Sequence, residues 1–248
     1  MKKIHKGVFV DNKAKGICLA FGPVVAFVGW VLCQVTFVGS ADLDDIGAIL
    51  ANSAGETAIA TVAIILIGLG LPLYLAGLRG IKGQASGAWE TLGILFITIG
   101  SIVFIANLGI LGSLVTMADK LVTYMAAAGS ATDTAEAAKY ANAAAATQLA
   151  AGAVQAINVT VGSLGTLLFS VGFTCLGIAY LSSDFKGILP FIPLSYLALI
   201  AGILGIVAVI IITPTVNPEF ASMLSGITFL IGTIWAVLVG AKLAITDG

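Results

Sequence analysis

The chain has 248 residues, of which 59% are hydrophobic and only 9% charged, with a mean hydropathy of +1.12. A water-soluble domain carries about 25% charged residues, so this composition excludes a soluble surface and leaves the membrane class. The net charge of −1 supplies no basic face, and no nucleic-acid partner is expected.

Six apolar runs lie at 17–38, 57–78, 91–113, 157–181, 190–212 and 221–241, none with a Lys, Arg, Asp or Glu in its interior. Each is about as long as the ~20 residues that a helix needs to cross a hydrocarbon core. The predicted fold is an all-α polytopic membrane helical bundle with six transmembrane helices, a single membrane domain over 1–248. The first run follows Met1-Lys2-Lys3 and leads into Val38-Gly39-Ser40, the order of a basic start and a small-residue cleavage site in a signal peptide. Its 22 residues (17–38) exceed the 7–15 of a signal-peptide apolar region, so it is taken as a true span.

Pro23 and Pro72 predict kinks in the first two spans, and Leu43 to Ala54 predicts a short interfacial helix between them. Tyr74, Trp89 and Tyr180 are placed as aromatic anchors near one interface. From Glu90 to Ala128 there is no proline, and Leu114, Val115, Ala118, Leu121, Val122 and Met125 share one helical face. Gly129-Ser130 breaks this run, Asp133 and Glu136 have capping-box spacing, and an Ala-dense stretch from Thr134 to Val154 leads into the fourth span. The third and fourth helices are therefore predicted to extend outward as a helical hairpin over about 114–156, protruding roughly 20–30 Å. The alternative is a loose Ala-rich loop lying on the membrane. Asp184-Phe185-Lys186-Gly187 forms an inner turn, Pro190 and Pro193 open the fifth span, and Pro214 and Pro218 follow it.

Nine basic residues, namely Lys2, Lys3, Lys6, Lys13, Lys15, Arg79, Lys82, Lys186 and Lys242, flank one side, against Lys120 and Lys139 on the other. Short flanks rich in Lys and Arg stay in the cytoplasm, so both termini are predicted to be cytoplasmic in a prokaryotic plasma membrane. Asp42, Asp44, Asp45, Glu56, Asp119, Asp133, Glu136 and Glu219 lie opposite the lysines.

Chemistry-bearing residues are sparse. The only histidine is His5, outside the spans, and Cys18, Cys33 and Cys175 lie within apolar runs as small buried hydrophobes. No catalytic, metal or cofactor-binding residue is assigned, and no enzyme activity or cofactor is expected. Ion-coupled carriers place ionisable groups at membrane depth, and these runs have none. Glu56 and Glu90 stand at span entrances and are read as solvated carboxylates near helix N-termini. Lipid chemistry is a distant reading, with Glu90 or Asp184 its only cytoplasmic acids.

Uncharged polar residues offer more. Gln34, Asn107 and Asn158 fall near the outer ends of spans one, three and four, either lining a small polar pocket or serving as interhelical glue. Asn158 also heads a row of small residues, Gly162, Thr166, Ser170 and Thr174, at four-residue spacing. Gly232, Ala236 and Gly240 repeat the pattern in the sixth span, as do Ala201 and Gly205 in the fifth. Such rows let helix backbones approach closely in lipid.

Leu73-Tyr74-Leu75 before Arg79, Gly177-Ile178-Ala179-Tyr180-Leu181, and Gly187-Ile188-Leu189-Pro190 ahead of a Gly-rich span carry a resemblance. In these the chain resembles prokaryotic six-span membrane proteins catalogued only as a domain of unknown function (number four-three-eight-six). The resemblance implies topology alone, and the Ala-rich extension departs from it. The leading functional expectation is an accessory or scaffold subunit of a larger membrane assembly. Its partners would be membrane lipids and other membrane protein subunits or copies of itself. The alternative is a channel or carrier for a neutral or lipophilic small molecule, using Gln34, Asn107 and Asn158.

Overall fold

The computed structural model describes residues 12–39, 45–85, 87–213 and 218–246. Lys2, Lys3, His5, Lys6, Asp42, Leu43, Asp44 and Pro214, named above, lie outside them. Helix α1 (Asn12–Cys33) continues as a π-helical segment (Gln34–Val38), and α2 (Ile46–Gly55) is the short helix expected before the second span. Then follow α3 (Thr57–Leu78), α4 (Ala88–Ser130), α5 (Thr134–Leu181) and α6 (Leu194–Val207) with its own π-helical tail (Ala208–Ile212). The last helix, α7, runs over Pro218–Thr246.

Six of these elements are long and apolar enough to cross a membrane. Their outer faces carry large exposed apolar side chains, such as Ile17, Phe21, Val28 and Val31 along α1. A soluble protein does not tolerate that much continuous apolar exposure, whereas lipid does. The chain is an all-α, multi-pass membrane bundle.

Helices α4 and α5 have 43 and 48 residues. At 1.5 Å per residue they are about 65 and 72 Å long, twice the thickness of a hydrocarbon core. They must leave the bilayer together, as the predicted hairpin. Its turn is set by Asp133, whose carboxylate accepts from the Ala135 backbone N–H at 3.0 Å and starts α5. Leu114, Val115, Ala118 and Leu121 of α4 are buried with Ala144 and Ala151 of α5. Val122 and Met125, read on the same helical face, are 50% and 61% exposed. A single alanine-built partner helix covers only a narrow stripe, so the flanks of the α4 face stay open.

The bundle has two packed halves. On the side that carries Asn12 and Thr246, here the termini side, Leu19, Tyr74, Leu78, Phe173, Leu176, Tyr180, Trp235, Val239 and Leu243 form one core. On the hairpin side, Ala26, Cys33, Phe37, Ile49, Leu50, Ile67 and the base of the hairpin form the other. Two expectations are corrected here. Tyr74 and Tyr180 are 1% and 4% exposed, core residues and not interfacial anchors, whereas Trp89 is 49% exposed. The helical face that each tyrosine occupies points inward, into the core. Helix α6 also begins at Leu194, four residues after the expected start, because the segment from Pro190 to Pro193 is turn and Pro193 is the N-cap.

Candidate ligand pocket

A cavity of about 270 Å³ lies among α1, α3, α4, α5 and α7, with Ile49 of α2 and the π-helical tail of α6 completing its wall. All three polar residues expected to cluster line it. Asn107 of α4 donates through Nδ2 to Asn158 Oδ1 of α5 at 2.9 Å, and Asn158 Nδ2 donates to Gln155 Oε1 at 3.1 Å. Gln34, first residue of the π-helical segment on α1, belongs to the wall of the same cavity. Asn107 is 7% exposed, and its Oδ1 has no hydrogen-bond partner among the described residues. A buried acceptor left unpaired costs about 1–3 kcal/mol, so this oxygen marks a place where a donor is wanted.

Gln155 carries a fourth amide and was missed. It lies three residues before Asn158, hence on the same face of α5, but just past the Ala-dense stretch and within the 114–156 assigned to the hairpin. Sequence reasoning also missed the apolar part of the wall. Trp30, Phe104, Phe169 and Phe229, from four different helices, pack with ring centroids 5.4–6.3 Å apart, mostly edge to face. Tyr74 lies 5.9 Å from Phe169 at the deep end. Beyond it the rings of Phe169, Phe173, Trp235 and Tyr180 follow one another at 5.2, 5.6 and 5.7 Å into the closed termini-side core. The cavity is therefore one-ended, with an amide pole toward the hairpin and an aromatic floor near mid-bundle.

The small-residue rows divide between cavity and seams. Gly162 leaves space: a Cβ built there would meet only Asn107 Nδ2, at 3.8 Å. Thr166, 5% exposed, also lines the cavity, and its hydroxyl donates to the Gly162 carbonyl at 3.0 Å. Ser170 and Thr174 repeat that bond to the carbonyls four residues back, at 2.7 and 3.0 Å, and press against Gly205 and Gly202 of α6. Gly232 sits under the Phe173 ring, Ala236 is fully buried, and Gly240 meets the Gly16 carbonyl across the α1–α7 seam.

Both π-helical segments contribute wall residues, Gln34, Phe37 and Val38 from the first, Val209 from the second. Such wide turns recur at functional sites because they re-aim side chains that a regular helix would place elsewhere. No charged residue is among the described lining residues. No group of three His, Cys, Asp or Glu side chains stands close enough to share a metal ion among the described residues. An ion entering this cavity would lose its hydration with no opposite charge on the described wall to offset that loss, whereas an uncharged molecule would meet no such cost. Comparison with protein-family models, with curated proteins and with solved structures finds nothing that matches this chain.

Proposed function

We propose that this membrane protein binds an uncharged small molecule in the cavity, taken up from the extracytoplasmic side, as a carrier or a receptor for it. The observation behind this reading is the one-ended cavity itself, polar at one pole and aromatic at the other, with no charge on its described wall. The closed termini-side core argues for a binding step over an open channel. Orientation rests on charge: Lys15, Arg79, Lys82, Lys186 and Lys242 flank the termini side, and only Lys120 and Lys139 flank the hairpin.

Cysteine labelling tests orientation and access together. Thr132→Cys in the hairpin turn should react with a membrane-impermeant maleimide on intact cells, and Asp184→Cys only after lysis. Ser163→Cys, on the cavity wall, should react with a small methanethiosulfonate added from outside. Adding Gly162→Phe, which fills the space beside it, should slow that reaction at least about tenfold. Reversed maleimide labelling would sink the orientation, and a Ser163→Cys thiol untouched from the hairpin side would sink the uptake route.

A second reading, an accessory subunit of a membrane assembly, draws on the hairpin. Val122, Met125 and Leu149 are 50%, 61% and 81% exposed on helices that outreach a bilayer. Gentle native extraction decides it, since a chain that migrates alone in lipid nanodiscs has no subunit role to support.

A further inference from the structure

We infer that the molecule held here is a lipophilic alcohol, with one hydroxyl at the amide pole and an uncharged hydrocarbon body of about ten carbons against the aromatic floor. This inference rests on the binding role proposed above and names the chemistry of the occupant.

Size comes first. A dry cavity of about 150 Å³ accommodates benzene, so 270 Å³ suits a body somewhat under twice that, about ten to twelve heavy atoms. Polarity comes next. Only one end of the cavity carries hydrogen-bonding amides, those of Gln34, Asn107, Gln155 and Asn158, while Trp30 and Phe229 belong to the apolar remainder. One polar group on an apolar body matches that division. Beyond the amides the polar side chains of the wall are mostly hydroxyls, among them those of Thr166, Thr213 and Ser225, donated to carbonyls of their own helices, and that of Tyr74, unpartnered among the described residues.

The polar group is then narrowed by what the amides lack. Asn107 Nδ2 and Asn158 Nδ2 are already engaged as donors, whereas Asn107 Oδ1 has no partner. An occupant that donates a hydrogen bond satisfies this oxygen; an ether, ketone or alkane does not. An ammonium also donates, but it would bring a charge to a wall without a carboxylate among the described residues. A carboxylate would bring a charge and no donor. A hydroxyl donates, accepts and carries no charge.

The experiment uses the full chain in lipid nanodiscs, with Trp30 in the cavity wall as the fluorescent reporter. Four probes share a ten-carbon chain and differ in the head: 1-decanol, n-decane, decanoate and decylammonium. Decanol should give a saturable change, absent in Trp30→Phe, with an affinity about tenfold or more above the other three, as one buried hydrogen bond supplies. Asn107→Leu should bring decanol down to the level of decane, and Gly162→Phe should abolish both.

Decane equal to decanol in the unaltered protein, or either charged probe above it, overturns the alcohol assignment while leaving the pocket standing. So does an Asn107→Leu protein that folds and keeps full decanol affinity. The head-group series in the unaltered protein decides the class even where Asn107→Leu does not fold. If no probe saturates in the unaltered protein, the binding role itself falls, and this inference with it.

Discussion

Gly77→Ala should cost the protein about 3 kcal/mol or more, near the upper end for overpacking, and lower its melting temperature by roughly 10 °C. The reason is the seam between α1 and α3. A methyl group at Gly77 would lie 2.7 Å from Leu19 Cβ and closer still to the Leu19 backbone nitrogen and Cα. Gly22 and Gly70 repeat the arrangement further along, where an added Cβ would lie 2.8 Å from the Gly70 and 2.6 Å from the Gly22 carbonyl oxygen. Backbone cannot rotate aside as a flexible side chain can, so the two helices would have to part. Parting them would also move Pro23 and Tyr74, which line the cavity. The matched control is Gly109→Ala, where nothing stands within 4 Å of the added carbon. There alanine should be neutral or stabilising by up to about 1 kcal/mol, the ordinary gain of replacing a helical glycine. Thermal unfolding of both variants in the same nanodiscs is the measurement. Two melting temperatures within about 2 °C of each other would mean that the seam is not close-packed.

The six spans were readable because the bilayer excludes charge so strongly that each crossing leaves a gap in the charge pattern. The hairpin was readable because helix propensity persists past the length that lipid requires, with neither proline nor a broad loop between Glu90 and Ala128. What failed was azimuth. Tyr74 and Tyr180 have the side chain and the place near a span end that anchors have, and only the packing of neighbouring helices shows that they face inward. Glu90 failed for a related reason. A carboxylate in the first turn of a helix is normally solvated, yet this one is 4% exposed because a loop folds over it.

The pocket was half readable. Asn107 and Asn158 stood out as amides within apolar runs, and an amide in lipid must find a partner. The rings of Trp30, Phe104, Phe169 and Phe229 come from α1, α4, α5 and α7, and no periodicity along the chain brings them together. The π-helical turn at Gln34–Val38 has no composition that separates it from ordinary helix, although it is one of the turns that shape the pocket's wall.

Replacement of Glu90 by alanine should destabilise the loop between α3 and α4 by about 3–6 kcal/mol, the loss of two hydrogen bonds to a carboxylate. Glu90 accepts from the Gly83 backbone N–H through Oε2 and from the Ala85 N–H through Oε1, both at 2.8 Å. Ile81 and Ala85 of this loop are buried, at 0% and 2% exposure, so the alanine variant would strand at least one N–H away from water. The same loop is gripped from the other side, where the Ser183 hydroxyl donates to the Gln84 carbonyl at 2.7 Å. Thus one carboxylate and one hydroxyl lock two termini-side loops together and close the core that makes the cavity one-ended. Limited trypsinolysis reads this directly, because Arg79 and Lys82 are exposed in sequence around the loop, but cleavage requires the backbone to open locally. Glu90→Ala should be cut there at least about tenfold faster than the unaltered protein, with Lys120 and Lys139 on the hairpin cut at an unchanged rate. Ser183→Ala should show a smaller acceleration at the same sites, since it removes one uncharged bond. Equal cleavage of Glu90→Ala and the unaltered protein would mean that the carboxylate does not hold the loop, and that the termini-side closure depends on apolar packing alone.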